Sequence, residues 1–354
     1  MSLQILRDLC TERRVRISRI FVAANVRHIR GPINKNAASF TLGHPVTRRL
    51  TPSELEIAAE ILRSGGLVAF PTETVYGLGA NALDGSAVAS IFAAKQRPSF
   101  NPLIVHVPDI QSAEKIAVFD EEARHLATVF WPGPMSLVLP LRSDAGISDL
   151  VSSGLNTIAI RVPAHPLATR LLLLAGCPVA APSANPSGQI SPTIADHVLA
   201  GLAGKIDAVV DGGACEVGVE STIIGTSPTI LLRAGGVALE DIETHLDRTI
   251  PVRKESGTLN APGQMASHYA PDAALKMNAA PDQEAIYIGF GAMDCDLNLS
   301  PAGNLKEAAA NLFAFLRDAD ALANGRVIAV APIPNEGLGL AINDRLKRAA
   351  APRD

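Results

Sequence analysis

From residue 51 onward, short apolar runs alternate with stretches whose apolar positions recur every three or four residues. The runs Leu67–Phe70, Leu103–Val107, Ser136–Leu141, Thr157–Val162, Val179–Ala181, Ala208–Val210, Ser221–Ile224 and Ile230–Leu232 predict strands. Helical spacing covers Ser86–Gln96, Glu121–Phe130, Pro166–Ala175, Ile194–Ala203 and Leu239–Leu246. A helix start is written at Thr51-Pro52-Ser53-Glu54, with threonine at the N-cap, proline next and glutamate at the third position. That helix should stop at Gly65-Gly66. Strands and helices mixed in this way predict one α/β domain on a large mixed sheet, residues 46–247. Periodicity fades over 248–281, which is rich in Pro, Gly and Ser and reads as a linker. The strand–helix–strand–helix order of "EAIYIGF", "LKEAAANLFAFLRDA", "RVIAVAPI" and "LGLAINDRLKRAA" then predicts a small, parallel, Rossmann-like domain over 282–354. It has no GxGxxG and is not read as a dinucleotide site.

Composition narrows the function classes. The chain is 47% hydrophobic and 19% charged over 354 residues, enough for a substantial core. No apolar run reaches the roughly 18 residues of a membrane span. Cys10, Cys177, Cys215 and Cys295 are scattered without a CxxC pair, which argues against a zinc site or disulfide framework and fits a cytoplasmic protein. Residues 1–45 carry eight Lys/Arg and two Asp/Glu, a balance of +6 that leaves the remainder at −10. This Arg-rich segment reads as a disordered extension or an early start codon, with a targeting leader as the alternative. A body at −10 is not a general nucleic-acid binder, so any polyanion must meet a local basic cluster.

Three stretches carry candidate chemistry. In "GGLVAFPTETVYGLG", Pro71 takes the chain out of the sheet. An extended backbone there would put Thr72, Thr74 and Tyr76 on one side and Glu73 and Val75 on the other, with Gly77 and Gly79 allowing a turn or a ligand's approach. A capped surface turn is an equal alternative. In "AAKQRPSFNPLIVHV", Pro98 biases Arg97 out of the helix, so Lys95 and Arg97 can converge on one anion. A cationic helix end is the commoner arrangement, and His106 reads first as a core histidine. In "APSANPSGQISPT", Ser183 and Asn185 share a face after an apolar strand, or form an ordinary turn. Arg161, Ser221 and Arg233 each stand at the edge of an apolar strand. No activated nucleophile, GxSxG or Walker motif is present. Hydroxyls, amides and cations at strand ends suit positioning and charge neutralisation of a phosphate-bearing ligand.

Taken together and in order, "FPTETVYGLGANA", "KQRP", "NPLIVHV", "WPGPMSLVL", "IAIRVPAHP", "APSANPSG" and "GVESTII" with "LLRAGG" resemble the YrdC-like family of threonylcarbamoyl-AMP synthases over residues 50–247. "EGLGLAINDRLKRAA" is similar to the end of the second domain in its two-domain, SUA-type branch. The linker "APGQMASHYAP" departs from that branch's pattern at Gln264-Met265-Ala266-Ser267, before His268-Tyr269. The resemblance implies a twisted, largely open sheet with a concave, positive cavity. It also implies synthesis of threonylcarbamoyl-adenylate and diphosphate from L-threonine, bicarbonate and ATP with Mg2+. The product would pass to a transferase complex that modifies adenosine 37 of tRNAs reading ANN codons. Weak RNA binding is a further expectation.

By position within the matched motifs, Thr74, His106, Arg161 and Ser221 would bind threonine, with Arg161 on its carboxylate. Arg97, Asn101, Thr157, Ser183, Asn185, Thr193 and Arg233 would serve the nucleotide. Lys95 and Arg97 would neutralise phosphate charge in catalysis. Tyr269 would belong to a lid that touches ATP, and magnesium would be held mainly by the phosphates. An RNA-binding module, a hydrogenase-maturation-type carbamoyltransferase and an amino-acid or nucleotide sensor are the competing readings. The second lacks its Cys-rich motifs in this chain.

Overall fold

The helix start at Thr51 folds as a capping box. Glu54 Oε2 accepts the Thr51 backbone N–H at 2.8 Å, and the Glu54 N–H donates to the Thr51 carbonyl at 3.0 Å. One 3-10 turn leads into helix Leu55–Arg63, followed by Gly65 at φ +85°. This computed structural model describes residues 46–253 and 267–352. The expectation for residues 1–45, and most of the distinctive linker sequence, lies outside the described residues.

Ten strands form the large sheet: β1 (Arg48–Leu50), β2 (Val68–Phe70), β3 (Gly77–Asn81), β4 (Ile104–His106), β5 (Met135–Pro140), β6 (Thr157–Arg161), β7 (Val179–Ala180), β8 (Ala208–Val210), β9 (Thr222–Thr226) and β10 (Thr229–Arg233). Their spatial order is β1-β8-β2-β3-β7-β4-β6-β5-β9-β10, and the pairing is mixed. All eight expected strands of this sheet are present, and the longer expected helices appear within one residue at each end. Two strands were not expected. β1 has a polar, exposed pattern. β3 carries the two glycines that read as a turn, yet it pairs with β2 on one side and β7 on the other. A Cβ at Gly79 would stand 2.9 Å from both Phe70 and Val179, so close packing in the sheet, not a turn, requires that glycine.

Alternation along the central strands divides the sheet's two faces. Val105, Leu137, Ile158 and Ile160 face the main core, which also takes Val88 and Ile91 of helix Gly85–Lys95 and Leu126 of helix Glu121–Phe130. On the opposite face Ile104, Val138, Ala159 and Ile223 form a small apolar patch. His106 and Arg161 continue that face, directly opposite one another in the parallel β4–β6 pair. The fold therefore places two polar side chains next to each other on the less covered face of the sheet.

The second sheet is wholly parallel, in the order β11-β14-β12-β13, with β11 (Leu275–Lys276), β12 (Ile286–Gly289), β13 (Leu297–Asn298) and β14 (Ile328–Val330). Helices Leu305–Ala323 and Leu338–Ala349 fall where the sequence expected them. β11 lies inside the stretch 248–281 read as linker, so the small sheet begins before residue 282. The two sheets share an apolar cluster. Val75, Ile190, Val219 and Tyr269 pack with Phe313, Leu316, Ile342 and Leu346. Gly218, at φ +75°, lets helix Leu305–Ala323 approach; a Cβ there would lie 2.4 Å from the Ala309 carbonyl and the Ala310 Cα.

Gly218→Ala should therefore lower unfolding stability by about 2–3 kcal/mol, through overpacking and a left-handed backbone. Chemical denaturation measures it, and an unchanged midpoint would contradict this account of the packing.

Candidate functional site

The cleft on the open face is walled by segments from along the chain, beginning with the stretch Pro71–Tyr76. That segment is not extended. Thr72 Oγ1 donates to the Val75 carbonyl at 2.7 Å, the backbone N–H groups of Thr74 and Val75 return to the same hydroxyl, and the chain curls. The expected parity is corrected accordingly. Thr72 and Thr74 do share a side, with their hydroxyls 2.8 Å apart, and both line the cleft together with Val75. Tyr76 turns into the main core and bonds through its hydroxyl to Gly212 and Gly213. Glu73, expected to face outward, is buried and ion-paired to Arg161 at 2.6 Å.

Arg161 is held on three sides. Its Nε donates to the Gly133 carbonyl at 3.2 Å, Nη1 donates to Thr74 Oγ1 at 2.7 Å, and Nη2 meets Glu73. A guanidinium has five N–H donors, so two remain for a ligand's carboxylate. His106 stands beside it, buried, with Nδ1 3.3 Å from the Ile104 carbonyl. Burial, and then the charge of Arg161, push its pKa down to about 3, so the imidazole is neutral. Ser221 completes this end: its hydroxyl is 2.8 Å from Ser136 Oγ and 3.2 Å from Arg233 Nη2.

Arg97, Ser183, Arg233 and Tyr269 also line the cleft, Arg233 next to Ser221. Gln96, at φ +52°, ends the helix and turns Arg97 inward, where Nε and Nη2 donate to the carbonyls of Asn101 and Pro102. Burial pulls the Arg97 pKa down to about 10. Arg233 donates twice to the Ser221 carbonyl. Tyr269, at φ +62°, is almost wholly buried, its ring stacked on Phe313 with centroids 5.4 Å apart. His268 precedes it on the cleft wall.

Five of the expected positions stand differently. Lys95 does not line the cleft. Its amine donates to the carbonyls of Ser183 and Asn185 and so braces the loop that does. Burial and the nearby Arg97 hold that amine well below the usual lysine range. Asn101 and Asn185 are buried behind the wall. Neither side-chain atom of Asn101, nor the Asn185 Oδ1, has a protein hydrogen-bond partner among the described residues. Thr157 begins β6 at the end away from Arg161, roughly 13 Å along the strand. Thr193 turns to His197, its hydroxyl 3.4 Å from Nδ1. Neither threonine lines the cleft, because strand length in one case and a local side-chain partner in the other keep them out.

Two family profiles match the chain. One, described as "Telomere recombination", covers residues 60–235, and the other, "Threonylcarbamoyl-AMP synthase, C-terminal domain", covers 237–351. The threonylcarbamoyl-AMP synthase of Pyrococcus abyssi (strain GE5 / Orsay) is 42% identical over 333 residues, spanning 87% of this chain and 97% of that protein. The family is settled by that match. This chain belongs to the threonylcarbamoyl-AMP synthase family. The enzyme of that name from Bacillus subtilis (strain 168) is 41% identical over 87% of this chain and 96% of its own length. The crystal structure of P. abyssi Sua5 complexed with L-threonine superposes with a TM-score of 0.79 at 40% identity, covering 86% of this chain and 97% of that one.

Within this threonylcarbamoyl-AMP synthase family member, sequence reasoning passed over Glu73, Val75, Glu220 and His268 as cleft residues. All but Glu73 line the cleft directly, and Glu73 reaches it through Arg161. Glu220 accepts from Ser191 Oγ at 2.6 Å and from Arg345 Nε at 2.9 Å. Burial works against its ionisation, but Arg345 and Arg233 outweigh that and hold its carboxyl below the usual range. One signal was available: Glu73 is a lone carboxylate beside hydroxyls in an otherwise uncharged stretch, and Glu220 directly precedes the hydroxyls of Ser221 and Thr222. Among the described residues, no group of three or more His, Cys, Asp or Glu is placed to hold a metal ion, and no helix is long and apolar enough to cross a membrane.

The depressed histidines set an acid dependence. His106 and His268, each near pKa 3, stay neutral in the folded chain, whereas the unfolded chain protonates them near pH 6.5. The unfolded state then binds more protons below pH 6.5, and stability falls as pH falls toward 3. Replacing His106 by Asn should make that fall shallower, by about 1.4 kcal/mol per pH unit. Denaturation curves at pH 6 to 4 measure the slope, and equal slopes in the two proteins would contradict a neutral His106.

Proposed function

We propose that this chain joins L-threonine, bicarbonate and ATP into L-threonylcarbamoyladenylate and diphosphate, as a nucleotidyltransferase. One observation carries the reading. Every Lys, Arg, Asp or Glu side chain buried among the described residues lies in or directly behind the wall of one cleft, five basic groups against two acidic ones. Such an excess of held positive charge suits an amino acid's carboxylate at one end and a triphosphate at the other. Membership of the threonylcarbamoyl-AMP synthase family supports the same choice of substrates.

In this reading Arg161 takes the threonine carboxylate with its two uncommitted N–H groups, and Thr74, neutral His106 and Ser221 surround the rest of the amino acid. Bicarbonate gives carbon dioxide and hydroxide; the unprotonated amine adds to the carbon dioxide, and the proton it loses joins the hydroxide as water, leaving a carbamate. A carbamate oxygen then attacks the α-phosphorus, the bond to the β-phosphate oxygen breaks, and diphosphate leaves with that electron pair. Arg97 and Arg233 face the developing phosphate charge, and Ser183 presents its hydroxyl beside them. Lys95 acts one step back, by fixing the Ser183–Asn185 loop. Magnesium would come bound to the ATP phosphates and would offset part of their charge. Tyr269 closes over the nucleotide side and keeps water from the labile carbamate. The product would pass to a transferase complex that modifies adenosine 37 of tRNAs reading ANN codons. Cys177, Cys215 and Cys295 are free thiols, which fits a cytoplasmic setting.

The test is mass-spectrometric detection of threonylcarbamoyl-adenylate, with diphosphate released in step. Formation should require threonine, bicarbonate and ATP together. Diphosphate release that ignores threonine would overturn the proposal. In the same assay Thr74→Val, which keeps shape and deletes the hydroxyl on Arg161, should raise the threonine KM about 10-fold.

A further inference from the structure

Arg345 is the largest fully buried side chain among the described residues, and it belongs to the small domain's last helix. It reaches the large domain at two points and the linker residue Tyr269 at a third. Nε donates to Glu220 Oε2 at 2.9 Å, Nη1 donates to the Ala234 carbonyl at 2.7 Å, and the guanidinium carbon lies 5.4 Å from the centre of the Tyr269 ring. Each contact adjoins a residue already placed at the cleft: Glu220 precedes Ser221, Ala234 follows Arg233, and Tyr269 lines the cleft itself.

Glu220 is the difficulty that this arrangement resolves. It lines the cleft and is almost wholly buried. A carboxylate there would repel a triphosphate and would draw Arg233 away from it. We infer that Arg345 is a positioning residue that neutralises Glu220, so that the second domain completes the phosphate side of the cleft. The inference rests on the proposed reading that this cleft takes anionic substrates. Asp344 also meets Arg345 Nη1, at 3.0 Å, but it is partly exposed and is shared with Arg348 at 2.9 Å. Arg97, His106, Arg161, Arg233, His268 and Tyr269 are the other titratable groups on its wall, and Lys95 behind the wall also senses the Glu220 charge. Arg345 alone among the basic groups donates a hydrogen bond to Glu220 among the contacts described.

A strut and a counter-ion predict different things when both partners are removed. Removing Arg345 alone leaves a buried, unpaired carboxylate, whereas removing both charges leaves none. In full-length protein, Arg345→Met should weaken MgATP binding about 30-fold by titration calorimetry, with a matching rise in the ATP KM and a smaller change in kcat. The double variant Arg345→Met with Glu220→Gln should return to within about 3-fold of wild type, as should Arg345→Lys, which keeps the charge. If Arg345→Met does not fold, the double variant must both fold and bind. A double variant as weak as Arg345→Met, beside a wild type that turns over, overturns the counter-ion role and leaves the proposed reaction intact. A wild type that binds MgATP without forming threonylcarbamoyl-adenylate overturns the reaction, and the three affinities still decide the role of Arg345.

Discussion

Seven Lys, Arg, Asp or Glu side chains are buried among the described residues, and all seven surround one cleft. Charge taken out of water is costly unless each group finds an oxygen or an opposite charge. Here the partners are specific. Arg161 has Glu73, Thr74 and the Gly133 carbonyl; Arg97 and Lys95 have loop carbonyls; Arg233 has Ser221; Arg345 has Glu220 and the Ala234 carbonyl. Meeting that demand fixes the curl after β2, the register of β4 on β6, the loop after β7 and the docking of the second domain. A cleft built in this way holds its charged groups in place before an anion arrives, which is the property electrostatic catalysis needs.

The two domains are therefore not independent modules joined by a linker. Their apolar side chains enter one cluster through Val75, Val219 and Tyr269, and Gly218 lets a helix backbone pack directly against the cleft-bearing domain. His268 and Tyr269 are carried on that contact, the first through its backbone N–H to the Arg348 carbonyl at 3.2 Å and the second through Phe313. The lid that the resemblance implied is, in its described part, anchored to the second domain.

Much of the fold could be read directly. Apolar runs such as Leu103–Val107 and Thr157–Val162 read as strands because the side chains of a central strand are buried almost throughout, and the long helices declared their period. β1, β11 and β13 were hidden because edge strands are short and partly polar, and β3 was hidden because its glycines serve close packing. The site was legible where the motif named a side chain on a strand, as with His106 and Arg161. It failed where a local hydrogen bond redirected the backbone, as Thr72 does for Glu73, Val75 and Tyr76. Arg345 left a trace that went unread. Three residues after Ile342, four after Ala341 and four before Ala349, it is a charge on the apolar face of its helix.

The central claim is that this one ring of buried charge receives both an amino acid and a triphosphate. A crystal structure of the chain with L-threonine and a non-hydrolysable ATP analogue tests it most directly. The account predicts the threonine carboxylate on Arg161 beside Thr74, and phosphate oxygens within hydrogen-bonding distance of Arg97 and Arg233. A triphosphate bound away from both arginines, or threonine bound elsewhere than against Arg161, would contradict it.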